Sequence, residues 1–192
     1  MEAFLLSTGI VALAEMGDKT QLLALVLAAR FKRPWPIVWG ILAATLLNHA
    51  LAGLAGAWIM AAVGPNVMRW VLGVSFIAMA LWMLIPDKLD DESAVPKRQM
   101  GVFFVTVWAF FLAEMGDKTQ IATVALGAQY EPLVAVVLGT TFGMMLANAP
   151  VVFFGDAITR KVPIRLVHRV AAGIFAVLGV LTLLGVGSSV AG

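Results

Sequence analysis

The octapeptide Ala-Glu-Met-Gly-Asp-Lys-Thr-Gln occurs twice, at residues 14–21 and again at 113–120, each time in the middle of a long apolar run. Acidic and basic residues are scarce here, with 12% of the chain charged against 61% hydrophobic, so an identical polar stretch at an offset of 99 is not an accident of composition. Ionisable groups embedded in apolar helices are costly and must find partners. Whatever fold this chain adopts has to bring the two copies to terms with each other.

The mean hydropathy of +0.97 is far above that of a soluble domain. About 20 apolar residues cross the hydrocarbon core of a bilayer as a helix, and six such runs are legible, at about 3–29, 37–63, 67–85, 101–128, 133–154 and 165–186. The short alternating segments of an outer-membrane barrel do not appear. The chain has no cysteine, which excludes disulfides, thiolate metal sites and dithiol redox chemistry. Residues 1–9 carry no basic n-region and read as the start of the first span, not as a cleaved signal. The pI near 9.2 comes from loop lysines and arginines and does not suggest a nucleic-acid surface.

The repeat extends beyond the octapeptide. Gly40 and Gly139, Gly56 and Gly155, and Phe76 and Phe175 keep the offset of 99, and His49 falls opposite Asn148. The chain therefore divides into a first three-helix repeat at 1–86, a polar cytoplasmic linker at 87–100 and a second three-helix repeat at 101–192. Three is odd, so in one membrane the second half must be inverted. The fold class expected is an all-α integral membrane protein of six transmembrane helices in two inverted repeats. Of 13 lysines and arginines, two lie in the octapeptides, ten fall on one side of the membrane and only Arg69 on the other. The positive-inside rule makes the majority side cytoplasmic and puts both termini outside.

On a regular helix Glu15, Asp18, Lys19 and Gln21 share one side, as do Glu114, Asp117, Lys118 and Gln120. Gly17 and Gly116 weaken the helix there, and if it opens, freed carbonyls and Thr20 or Thr119 come within reach. Four carboxylates and two ammonium groups leave a charge of −2, which one divalent cation or two protons would neutralise. The carboxylates cannot all stay ionised without such a partner. Competition of metal and protons for one site is the minimum an antiporter needs. The oxygen set suits Ca2+, Mn2+ or Mg2+ over metals that recruit Cys or His; a thioether from Met16 or Met115 would favour Mn2+, although methionine is also ordinary apolar filler. The bland alternative is an intrahelical pair such as Glu15–Lys19, but two acids to one base per copy leave it uncompensated.

Asn48, His49 and Asn148 are polar groups at mid-span, suited to ligation, proton relay or interhelical hydrogen bonding. Pro150 has Leu51 as its counterpart, so the repeat is not strict. Gly40-x-x-x-Ala44 and Gly139-x-x-x-Gly143 read as close helix packing. Asp156 reads as a solvated helix end beside Arg160.

Glu-Met-Gly-Asp-Lys-Thr at 15–20 and 114–119 resembles the signature Glu-x-Gly-Asp-Lys/Arg-Thr/Ser of the transmembrane protein 165 family, also called uncharacterised protein family 0016. The resemblance spans essentially the whole chain. It implies cation/proton exchange with Mn2+ and Ca2+ as substrates, in Golgi or chloroplast membranes of eukaryotes and as manganese export in bacteria. It also implies a distant tie to the lysine-exporter superfamily. Carried over, the family's acidic cation ligands fall on Glu15, Asp18, Glu114 and Asp117, with Lys19, Thr20, Lys118 and Thr119 completing the motifs. The short central loop and absence of a targeting extension look like a compact bacterial member of the inner membrane.

The expected function is secondary-active export of Mn2+, with Ca2+ as a further candidate, in exchange for protons by alternating access at a midplane site. The metal ligands would be Glu15, Asp18, Gln21, Glu114, Asp117 and Gln120. Lys19, Thr20, Lys118, Thr119, Asn48, His49 and Asn148 would support the motif and couple protons. The metal is substrate and no cofactor is expected; the partners are the ion, protons and the bilayer, with room for a homo-oligomer. The alternatives are a passive divalent-cation channel with a carboxylate ring, an amino-acid exporter by superfamily analogy, and an intramembrane aspartyl protease. The last is disfavoured because an aspartate pair needs no flanking Glu and Lys, so no enzyme is expected.

Overall fold

Each octapeptide interrupts the helix that carries it. The computed structural model describes residues 1–85, 101–155 and 164–185, and these are all-helical, with no strand among the described residues. The chain runs through α1 (Glu2–Glu15), α2 (Lys19–Phe31), α3 (Pro34–Trp82), α4 (Val102–Glu114), α5 (Lys118–Gln129), α6 (Leu133–Phe154) and α7 (Ile164–Leu183). The linker expected over 87–100, and Asp156, Arg160 and Lys161, lie outside the described residues.

The runs at 3–29 and 101–128 are thus each divided into two helices, where a regular helix would put the four polar side chains on one arc. The cause is local. Met16 has φ −63° and ψ 112°, Gly17 has φ 83°, and the Asp18 amide donates to the Glu15 carbonyl at 3.0 Å. That is a type II β-turn, which requires a positive φ at its third residue and so a glycine. The second copy repeats it: Met115 has φ −64° and ψ 118°, Gly116 has φ 77°, and the Asp117 amide donates to the Glu114 carbonyl at 3.1 Å. Asp18 and Asp117 then stand as the N-cap residues of α2 and α5. Met-Gly-Asp is a turn followed by a helix start, and it overrides the surrounding apolar periodicity.

The element α3 consists of two helical arms, 34–63 and 65–82, joined at Gly64 with φ 75° and ψ 168° and followed by Pro65. This is the turn expected between the second and third apolar runs. Helices α3, α6 and α7 each hold a stretch long and apolar enough to cross a membrane, and α4 is a shorter apolar helix. Pro150 is accommodated inside α6.

The aligned glycines mark where helices touch. A Cβ on Gly40 would lie 2.6 Å from Thr106 Cβ and 3.0 Å from the Phe103 carbonyl; one on Gly139 would lie 2.5 Å from the Phe4 carbonyl and 3.0 Å from Ser7 Cβ. Phe4 and Phe103, and Ser7 and Thr106, are themselves 99 apart. So α1 packs on α6 as α4 packs on the first arm of α3. Phe76 meets its own counterpart Phe175, with ring centroids 6.2 Å apart, in a core shared with Met68, Leu72 and Met79. A second core gathers Leu23, Leu27, Ile37, Ile41 and Phe110.

Polarity is arranged inside out. Ser7, Thr45, Thr106, Thr123, Thr140 and both octapeptides contribute buried polar groups, while Trp35, Trp39, Trp58, Trp70 and Trp108 and many leucines and valines are exposed. Such an apolar exterior is a liability in water and the right surface for lipid.

The close approaches predict a matched pair of effects. Gly40→Ala and Gly139→Ala should each destabilise by about 1–3 kcal/mol through overpacking, read as a lower temperature for loss of monodisperse protein in detergent. Gly9→Ala, with nothing within 4 Å of the added carbon, should be neutral or stabilise by up to about 1 kcal/mol.

Candidate functional site

The two turns bring the octapeptides together. Glu15, Glu114 and Asp117 are fully or almost fully buried, and one carboxylate oxygen from each lies within 4.8 Å of the others. Asp18 is equally buried and faces Lys118, with Oδ1 3.7 Å from Nζ. Lys19 Nζ lies 2.9 Å from Asp117 Oδ1. The ion pairs are therefore crossed: each copy's lysine goes to the other copy's aspartate. The intrahelical Glu15–Lys19 pairing is not the one formed, because the turn separates α1 from α2.

Threonines position the glutamates. Thr20 Oγ1 donates to Glu15 Oε2 at 2.5 Å and Thr119 Oγ1 to Glu114 Oε2 at 3.0 Å. Both contacts reach back five residues across the turn, a reach a regular helix would not allow. Among the described residues, each glutamate's other oxygen, Oε1, has no hydrogen-bond partner, and neither has Asp117 Oδ2. Buried acceptors left in this way call for a cation or proton.

The glutamines brace the turns. Gln21 Oε1 accepts from the Gly17 amide at 3.0 Å and Gln120 Oε1 from the Gly116 amide at 2.7 Å. Their amide nitrogens cross to the other half: Gln21 Nε2 donates to the Ala147 carbonyl at 3.0 Å, and Gln120 Nε2 to Asn48 Oδ1. Ala147 and Asn48 are again 99 apart. Asn48 Nδ2 donates in turn to the Phe111 carbonyl at 3.4 Å.

Asn148 Nδ2 lies 3.3 Å from Glu15 Oε2 and 3.2 Å from the Met144 carbonyl. Its counterpart His49 is fully buried, and neither ring nitrogen has a hydrogen-bond partner among the described residues. His49 lies outside the carboxylate triad. Met115 points outward, 58% exposed, while Met16 is half-buried.

Two features escaped the sequence reading. The type II turn was signalled by Met-Gly-Asp, with glycine at the third turn position and a helix-capping residue after it. The other is His168, whose Nε2 lies 2.7 Å from the Met16 carbonyl; the repeat places it opposite Arg69, which by itself does not mark it.

Crossed lysine–aspartate pairs around a buried carboxylate cluster, on interrupted helices, are the furniture of an ion pathway. A sequence profile described as "Divalent cation/proton antiporter GDT1" matches residues 3–91 and 102–189, nearly the whole chain in two blocks. The chain belongs to the GDT1 family. This is the family that the two octapeptides resemble, and it is one of membrane transporters, not enzymes. A Vibrio cholerae protein named "Putative manganese exporter" is 50% identical over 183 residues, covering 95% of this chain and 90% of that one. "GDT1-like protein 5" of Arabidopsis thaliana is 26% identical over 96% of both chains. "GDT1-like protein sll0615" of Synechocystis is 25% identical over 84% of this chain and 88% of its own length. No solved structure matches the chain.

The turn glycine gives a clean test of what holds this GDT1 site open. Nothing lies within 4 Å of a Cβ added at Gly116, so its φ of 77° is the whole obstacle. Gly116→Ala should cost about 1–2 kcal/mol in thermal stability, whereas Gly173→Ala, equally uncrowded but inside the regular helix α7, should not.

Proposed function

We propose that this protein exports Mn2+ across the bacterial inner membrane in exchange for protons, by alternating access at the site between its two octapeptides. The observation that carries the reading is the buried cluster of Glu15, Glu114 and Asp117, with ligand oxygens within 4.8 Å of one another. Asp18 completes the acidic set beside it. Four carboxylates against Lys19 and Lys118 leave −2, so the site is neutral with one divalent ion or with two protons and not with both. That exclusivity is what couples the two flows.

The donors are oxygens, which suits Mn2+, Ca2+ or Mg2+. Membership of a divalent cation/proton antiporter family and the name of the Vibrio relative support manganese as cargo; Ca2+ is the competing ion to test. Glu15 Oε1, Glu114 Oε1 and Asp117 Oδ2 are the oxygens poised to bind. Gln21 and Gln120 spend one lone pair on the turn amides and retain a second for the ion. Thr20 and Thr119 fix the glutamates, Lys19 and Lys118 hold the aspartates, and Asn48 and Asn148 tie the site to the neighbouring helices. His49, buried without a partner among the described residues, is the candidate to carry protons to it.

Six spans in two inverted repeats, 1–86 and 101–192 about a cytoplasmic linker at 87–100, fit these contacts. Reciprocal contacts between residues 99 apart are those of a two-fold axis. With three spans per half, that axis lies in the membrane plane, and the loop charges put both termini outside.

The test is Mn2+ uptake into everted vesicles under an imposed pH gradient. Asp18→Asn and Asp117→Asn should each reduce exchange by about tenfold or more, and Thr20→Val should weaken apparent metal affinity by about tenfold through the loss of a positioning hydrogen bond. Normal exchange by both aspartate variants would sink the carboxylate site. Metal flux indifferent to the pH gradient would replace antiport with a passive channel.

A further inference from the structure

The two turns are built alike but are not covered alike. At the first, His168 Nε2 lies 2.7 Å from the Met16 carbonyl, the peptide oxygen that a type II turn leaves outside its own hydrogen bond. With the proton on Nε2, His168 donates to it. Met16 and Gly17 are half-buried. At the second turn, Met115 is 58% exposed and Gly116 is exposed beside it.

The residue that should cover it is present and otherwise engaged. Arg69 sits opposite His168 in the repeat, near the start of the arm 65–82 as His168 is near the start of α7. Among the described residues it makes no bond to Met115. Its guanidinium lies 5.6 Å from the Trp70 ring centroid, and its Nε is buried with no hydrogen-bond partner among the described residues. The lysines share the asymmetry through their crossed pairing, since Lys118 lies with Asp18 beside the covered turn and Lys19 with Asp117 beside the exposed one. Lys118 is 2% exposed under the Trp82 ring, 5.9 Å away, while Lys19 is 27% exposed. The first turn is covered and the second is not.

We infer that His168 and Arg69 are a reciprocal pair of positioning residues for transport, each latching one turn in one of the two access states. His168 on the Met16 carbonyl closes the cytoplasmic side, the state seen here. In the opposite state Arg69 swings from Trp70 to the Met115 carbonyl and closes the outer side, as His168 releases. A histidine and an arginine serve alike because the acceptor is a backbone oxygen, which any N–H donor on a reaching side chain satisfies. Met16 and Met115 are constant partners whatever their side chains. This inference rests on the alternating-access reading above. One net hydrogen bond sets the balance, so its removal shifts the two populations by about fivefold.

The chain has no cysteine, so single reporters can be placed directly. Met16→Cys and Met115→Cys leave the latching carbonyls in place, and are labelled by a membrane-impermeant maleimide in oriented vesicles of the full-length protein. Met115→Cys should label from the outer side in the otherwise native chain. Adding His168→Ala should raise cytoplasmic labelling of Met16→Cys about fivefold and lower that of Met115→Cys. Arg69→Ala should do the reverse, and His168→Asn, which keeps a donor, should return labelling towards native.

Labelling that is unchanged, or that moves the same way at both sites, overturns the latch. If His168→Ala does not fold, Arg69→Ala carries the same test alone. The site and the latch fail separately. Loss of transport in Asp18→Asn with unshifted labelling in the latch variants removes the latch and keeps the site. Opposed labelling shifts with transport intact in the aspartate variants keep the latch and remove the site.

Discussion

Charges held away from water must be neutralised where they stand, and here that is done by exchange between halves. Lys19 goes to Asp117 and Lys118 to Asp18. A lysine satisfied within its own helix would leave the halves indifferent to each other. A lysine that can be satisfied only across the interface makes each half the counter-ion of the other. Breaking one such pair strands a buried charge, which costs far more than the pair itself contributes. The glutamine braces, the aligned glycines and the Phe76–Phe175 contact repeat the crossed pattern with hydrogen bonds and packing. The fold around the site follows from that one requirement.

The surplus of acid over base then decides the chemistry. The lysines pair with the aspartates, and each glutamate keeps an oxygen that no described residue occupies. Glu15 and Glu114 each have one oxygen tied to a threonine and one kept open. A threonine hydroxyl donates without adding charge, so it can orient a carboxylate without competing with a cation for its electrostatics. The site is preorganised in geometry while remaining unsatisfied in charge.

Much of this was legible in the residues. The apolar runs gave helices, the offset of 99 aligned the two halves and set the octapeptides face to face, and two acids to one base in each octapeptide pointed to a missing cation. The failures have a physical source. Periodicity arguments assume that a helix continues, and an isolated glycine in an apolar run reads as a weakness and not as a stop. The type II turn depends on the sign of one φ at Gly17 and Gly116, to which hydropathy is blind. The expected arc on a regular helix was therefore the wrong surface, although its residues do converge. His168 was invisible for a different reason. Its acceptor is a carbonyl freed by that same turn, so it could be found only once the turn was known.

The crossed contacts bear on ancestry. Several contacts between the halves are ones that a second copy of the same half could supply: Phe4 against Gly139 is Phe103 against Gly40, and Gln21 against residue 147 is Gln120 against residue 48. A pair of identical units would have met those demands, and joining two copies in one chain lets the halves diverge. Where they differ, with His49 against Asn148 and Arg69 against His168, the two sides of the site are no longer chemically equivalent.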